Sequence, residues 1–173
     1  MAKTYKIAPR GISRVLVVDV DEQRLRLLRE IVRSIGTSQI TMVRSPAAAM
    51  RHLESFTTDL IVVSGRAERG FGSDLVRYIR SRRNPVFSRI PVIEVLVDPS
   101  KKRVMRAIQS GVDELITWPL NIAGFRQRKV KLEKRPRVWI DIDRYFGPCR
   151  RRVVDPNYTG PNRRDGQAPV LAA

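Results

Sequence analysis

Two carboxylates at the end of an apolar run are the first residues in this sequence with the types and spacing for chemistry: RVLVV at 14–18 leads directly into Asp19, Val20 and Asp21. Carboxylates placed this way are oxygen donors for a hard divalent cation, which needs several charged or carbonyl oxygens at once. Asp21 also stands where the next helix needs a side chain to accept from its first amides, so capping competes with metal binding there. Thiol and imidazole chemistry have little material. The 173 residues hold one cysteine, Cys149, and one histidine, His52, too few for a disulfide framework or a Cys/His metal site within one chain. His52 lies between Arg51 and Leu53 in a helical pattern and reads as a surface or boundary residue.

A second set of residues is repeated. YFGPCRR from Tyr145 to Arg151 and YTGPNRR from Tyr158 to Arg164 share the pattern Y-x-G-P-x-R-R, 13 residues apart. Gly-Pro fixes a bend at low entropic cost and is expected to present tyrosine on one side and arginines on the other, for stacking and bidentate contacts. Tyr145, Arg150, Arg151, Tyr158, Arg163 and Arg164 are therefore candidate partner contacts. Three seats fit them: an acidic protein surface, nucleic-acid phosphates with the tyrosines on bases, or the chain's own folded domain.

The elements that must position these residues follow from hydrophobic period. RVLVV (14–18), ITMVR (40–44), DLIVV (59–63), PVI with VLV (91–97) and ELIT (114–117) are short apolar runs rich in β-branched residues, as in buried parallel strands. Between them lie helical patterns. Leu25, Leu27, Leu28, Ile31, Val32 and Ile35 keep a helical spacing in the first, with Arg24, Arg26, Arg29 and Arg33 on the remainder and Gly36 as its stop. Ser45-Pro46 opens the second, Ser73 is expected to cap the third, Ser100 opens the fourth, and residues 121–134 form a basic fifth. The reading is α/β: a doubly wound five-stranded parallel sheet, (βα)₅ and flavodoxin-like, with its ligand site at the carboxyl ends of the strands. Those ends are Asp19, Ser64, Leu96 and Trp118.

Composition places the rest. The net charge is +17, of which residues 1–125 carry +9 and residues 126–173 carry +8, so positive charge is densest after the last helix begins. Such a field attracts nucleic acid, acidic protein or anionic lipid alike. No apolar stretch approaches the length of a spanning helix and the start has no signal-peptide core, so no membrane partner and a cytoplasmic location are expected. We divide the chain into a flexible arm (1–12), a folded domain (13–134) and a basic tail carrying the repeats (135–173), within which RVWIDI (137–142) alternates and can add a strand with Trp139 opposite Val138, Ile140 and Ile142. Arg77, Arg80, Arg82 and Arg83 with Lys101, Lys102, Arg103 and Arg106 read as the solvated faces of two helices or as a basic stripe.

The strings VLVVDVDEQ, TDLIVVS, IPVIEVLV and GVDELITWPL, in this order and spacing over about residues 13–134, resemble the receiver domain of response regulators. The tail resembles the arginine-rich extensions that follow some alphaproteobacterial receivers, departing from them at Cys149 and Asn162. The resemblance implies a phosphorylation pocket with two acidic residues for Mg²⁺, an aspartate acceptor, a hydroxyl residue and a lysine. On this chain those positions hold Asp19, Val20, Ser64, Leu96 and Trp118, so four of the five groups are replaced. The aromatic switch position is Leu115, and the turn that resembles the family's cis Lys-Pro makes Trp118-Pro119 a candidate cis bond. Acyl-phosphate formation needs a carboxylate, which serine cannot supply, and a divalent ion would lose most of its ligands.

The expected function is that of a phosphorylation-independent signalling adaptor, a pseudo-receiver binding partner proteins in a two-component-type pathway, with no enzymatic activity and no cofactor. A protein partner is expected, docked on the helices flanking the fifth strand, with a homodimer through that face as an option. The alternative is a regulator that binds nucleic acid non-specifically through its basic tail.

Overall fold

The computed structural model describes residues 3–65, 71–84 and 86–150. Three largely apolar strands, buried along almost their whole length, lie at the centre of the main sheet. They are β2 (Arg14–Val18), β4 (Leu60–Gly65) and β5 (Val92–Leu96). The more polar β3 (Gln39–Val43) and the short β6 (Glu114–Thr117) take the edges, giving five parallel strands in the order β3-β2-β4-β5-β6. Runs that are apolar on both faces need helices on both faces. On one side α1 (Glu22–Ser34) and α5 (Ile122–Lys134) cover Val15, Val17, Val62, Ile93 and Val95. On the other, α2 (Pro46–Ser55), α3 (Phe71–Ser81) and α4 (Lys101–Ser110) cover Leu16, Val18, Ile61, Val63 and Val92. The doubly wound α/β fold read from the sequence is the fold observed.

Asp21, Ser45 and Ser100 do the capping expected of them, accepting from the backbone amides of Arg24, Ala48 and Arg103, and Asn121 caps the fifth helix by accepting from Gly124 N. The third helix differs. It begins at Phe71, two residues before the expected cap, and the Ser73 hydroxyl instead donates to a buried carboxylate, Glu94. Gly111 ends α4 at φ 97°, a left-handed geometry that a side chain would strain. Trp118-Pro119 is cis. Among the described residues no helix is long and apolar enough to cross a membrane.

A second sheet revises the expected domain limits. β1 (Lys3–Tyr5) pairs antiparallel with β7 (Trp139–Ile142), which pairs with β8 (Tyr145–Pro148). Residues 3–5, expected in a flexible arm, are thus held in a strand, and residues 139–148, assigned to the tail, belong to the folded body. The reason is Trp139. It is 2% exposed, and its ring lies 4.6 Å from the Arg80 guanidinium carbon. Trp139, rather than the aliphatic side of its strand, faces the domain.

Arg80 is a further correction, because it belongs to no solvated stripe. It is 2% exposed, and it donates through Nε to Gly111 O (3.1 Å), Nη1 to Ser88 O (2.7 Å) and Ile90 O (2.8 Å), and Nη2 to Asp113 (3.1 Å). Asp113 also accepts from Val92 N at 2.8 Å. A buried charge persists only when its donors are satisfied in this way. Arg89 lies over Tyr5 at 4.3 Å and 6.0 Å from the Phe146 ring, so arginine–aromatic contacts fasten the second sheet to the base of the first.

Candidate functional site

The carboxyl ends of β2, β4, β5 and β6 converge on the opposite rim. Val18 pairs with Val63, so Asp19 and Ser64 come side by side one residue further on, while Gly65 pairs with Leu96 and Leu96 with Thr117. The five positions of the expected pocket are therefore brought together, and what they present is mostly apolar. Leu96 is 6% exposed and Val20 turns outward. Trp118 donates its backbone N–H to Leu96 O at 2.9 Å and packs half-buried against the core on the α1 and α5 side of the sheet. Leu115, at the switch position, packs half-buried against the other core.

Asp19 is fully buried and fully engaged. Its Oδ2 accepts from Arg24 Nε and its Oδ1 from Arg24 Nη2, both at 2.9 Å, and Oδ1 also accepts from Asp21 N at 2.8 Å. The same guanidinium donates through Nη1 to Asp21 Oδ2 at 3.1 Å, while Asp21 Oδ1 caps α1. Hydrogen bonding to Asp19 raises the Arg24 pKa above its ordinary value. Ser64 is also fully buried, and its hydroxyl has no hydrogen-bond partner among the described residues.

This donor set does not fit a magnesium ion. Both Asp19 oxygens are committed to a guanidinium that bridges the two carboxylates, and the neighbouring positions offer valine, a hydroxyl, leucine and an indole. Mg²⁺ demands near-octahedral oxygen ligation and surrenders its waters reluctantly, so it gains too little here to displace a bidentate, largely buried arginine. Among the described residues no cluster of three or more His, Cys, Asp or Glu is placed to hold a metal.

The first repeat makes contacts within its own chain. Tyr145 donates its hydroxyl to Pro148 O at 2.7 Å, and the Arg150 guanidinium carbon lies 4.5 Å over its ring. Tyrosine and arginine thus share one side of the bend, where opposite sides were expected. Gly147 permits this: a Cβ there would meet Tyr145 Oη at 2.9 Å and Gly111 Cα at 3.4 Å. Arg150 Nη2 also reaches Gln109 O at 3.4 Å. Arg151, Tyr158, Arg163 and Arg164 lie outside the described residues.

Sequence reasoning passed over two residues. Arg24 read as one more solvated arginine of α1; the available signal was its place one helical turn after Asp21 and five residues after Asp19. Glu94 is the other. It is 4% exposed in the middle of β5, with both carboxylate oxygens within reach of the Ser73 hydroxyl (2.9 and 3.1 Å), and burial pushes its carboxyl up to about 7. Its signal was a charge inside the apolar run VIEVL.

Known proteins share this fold. The family model of the response regulator receiver domain matches residues 15–128. The chemotaxis protein CheY of Pseudomonas aeruginosa is 21% identical over 122 residues, covering 70% of this chain and 97% of its own. The regulatory protein VirG of Agrobacterium tumefaciens is 28% identical over 142 residues, covering 81% of this chain and 51% of VirG. Among solved structures, the receiver domain of a signal transduction histidine kinase from Syntrophus aciditrophicus superposes with a TM-score of 0.61 at 25% identity, covering 70% of this chain and 89% of that one. Fold and extent agree, and the chain belongs to the response regulator receiver family, the signalling module of two-component systems.

Proposed function

We propose that the chain is a phosphorylation-independent signalling adaptor: a pseudo-receiver that docks a partner protein on the face formed by α4, β6 and α5, with its basic tail as a second contact. The observation that carries this reading is the Arg24 clamp on Asp19, beside a serine at the acceptor position. Phosphoryl transfer to a receiver needs a divalent ion to neutralise the incoming oxygens and a carboxylate to attack in line. Here the surviving acid already holds an internal cation, and Ser64 Oγ cannot form an acyl phosphate. In this reading the partner contacts of the tail are assigned to Arg151, Tyr158, Arg163 and Arg164, since Tyr145 and Arg150 are engaged with each other.

Incubation with acetyl phosphate and Mg²⁺, followed by intact-mass measurement, tests it. No added phosphoryl is expected, and beryllofluoride with Mg²⁺ should leave the fluorescence of Trp118 unchanged. A stoichiometric mass increase, or a saturable fluorescence change, would overturn the reading.

The concentration of charge after residue 125 favours a second reading, a regulator held on nucleic acid by its tail. Removal of residues 151–173 should then abolish a mobility shift that is indifferent to sequence and falls steeply with salt.

A further inference from the structure

The charge of this protein is not spread evenly over its helices. α4 (KKRVMRAIQS) carries four basic residues and no acidic one, and α5 (IAGFRQRKVKLEK) carries five basic residues and one acidic. These two helices flank β6, the edge strand of the main sheet. Part of the charge is matched locally: Arg103 pairs with Asp98, Arg106 with Asp74, Lys129 with Glu133, and Arg128 and Lys131 with the buried Glu114. Lys101, Lys102, Arg126 and Lys134 are exposed and make no ion pair among the described residues. The same two helices carry exposed aliphatic side chains, Met105 (46% exposed), Ile122 (47%) and Val130 (38%).

We infer that this face rejects a second copy of the chain and accepts an acidic protein segment with an apolar stripe. The inference rests on the adaptor reading above and names the partner's chemistry. A two-fold pair uses the same patch on both subunits. Here every such arrangement would set α4 or α5 against a helix of the same sign, and like-charge juxtaposition suppresses association. A carboxylate-rich partner meets the opposite condition: the four exposed cations attract it, and the aliphatic side chains give its apolar residues something to bury. Nucleic acid is the poorer match. Neither helix exposes an aromatic ring on which a base could stack, since Phe125, the one aromatic on them, is fully buried.

The test uses the full-length protein and a fluorescein-labelled amphipathic helical peptide of glutamate, leucine and alanine, followed by anisotropy. Untreated protein should bind the peptide, and Lys101→Glu/Lys102→Glu/Arg126→Glu should weaken binding by about tenfold or more at low salt. The Lys101→Gln/Lys102→Gln/Arg126→Gln protein should fall between, and circular dichroism of both variants should match wild type. Sedimentation at low salt should give a monomer. Equal binding by the charge-reversed protein overturns the inference, as does a low-salt dimer that this variant loses, or a labelled oligothymidylate that outcompetes the peptide on the same residues. Peptide binding that appears only after acetyl phosphate treatment would instead refute phosphorylation independence and leave the face assignment standing.

Discussion

Glu94→Gln is the most informative single change, because it separates one buried charge from the rest of the fold. The Glu94 carboxyl faces the Ser73 hydroxyl and Asp74 from α3 and Arg106 from α4, and burial is the dominant influence, raising it from 4.5 to about 7. In the folded protein the group stays protonated well above the pH at which it ionises in the unfolded chain. The native state therefore binds more protons between these two values, and stability falls as pH rises through about 7. At about 1.4 kcal/mol per unit, the raised carboxyl corresponds to a loss of about 3 kcal/mol between acid and mildly alkaline solution. Glutamine keeps the shape and an acceptor for Ser73 but cannot ionise. Urea unfolding from about pH 5 to about pH 8, with a common baseline fit, should give a wild-type stability that declines relative to the variant, so that the variant is the more stable protein at the alkaline end. His52, whose pKa is lowered by burial, tilts the background the other way, but it is common to both proteins and cancels in their difference. Parallel curves for the two proteins would refute a carboxyl held neutral between α3 and α4.

Two other substitutions test the two buried guanidinium contacts. Arg24→Met leaves the fully buried Asp19 without its counter-ion and should cost about 3–5 kcal/mol in urea unfolding, whereas Arg26→Met, at a guanidinium that is 73% exposed on the same helix, should change stability by less than about 0.5 kcal/mol; equal losses would mean that the clamp on Asp19 contributes nothing. Trp139→Ala strips the ring from Arg80 and opens the base, at a cost of about 3–5 kcal/mol, and Trp139→Phe should recover most of it in thermal unfolding.

The main sheet was legible because its strands are unambiguous. Runs such as LIVVS and RVLVV cannot be amphipathic helices, and the caps at Asp21, Ser45 and Ser100 mark where each helix begins. The pocket's positions were legible for the same reason, since a strand end fixes which residue faces the rim. What the pocket holds was less so. Arg24 sits among other arginines of α1, and only the fold shows that its side chain turns back onto Asp19 rather than outward like that of Arg26. The second sheet was hidden for a different reason. β1 is three residues long and its partner lies more than 130 positions away, so no local pattern joins Tyr5 to Trp139. Arg80 misled because arginine at a helix position reads as solvated unless its acceptors are known, and two of those are carbonyls in the loop after α3.

The antiparallel ladder between Lys3 and Asp141 has a consequence for biosynthesis. A growing polypeptide emerges from its amino end, so the first strand must wait, unpaired, until residues 139–141 have left the ribosome. The central sheet, complete by Thr117, can assemble in that interval, and closure of the base then follows the emergence of β7. A message truncated before residue 139 would yield a sheet whose underside leaves Arg80 without its indole cover and the first strand without its partner.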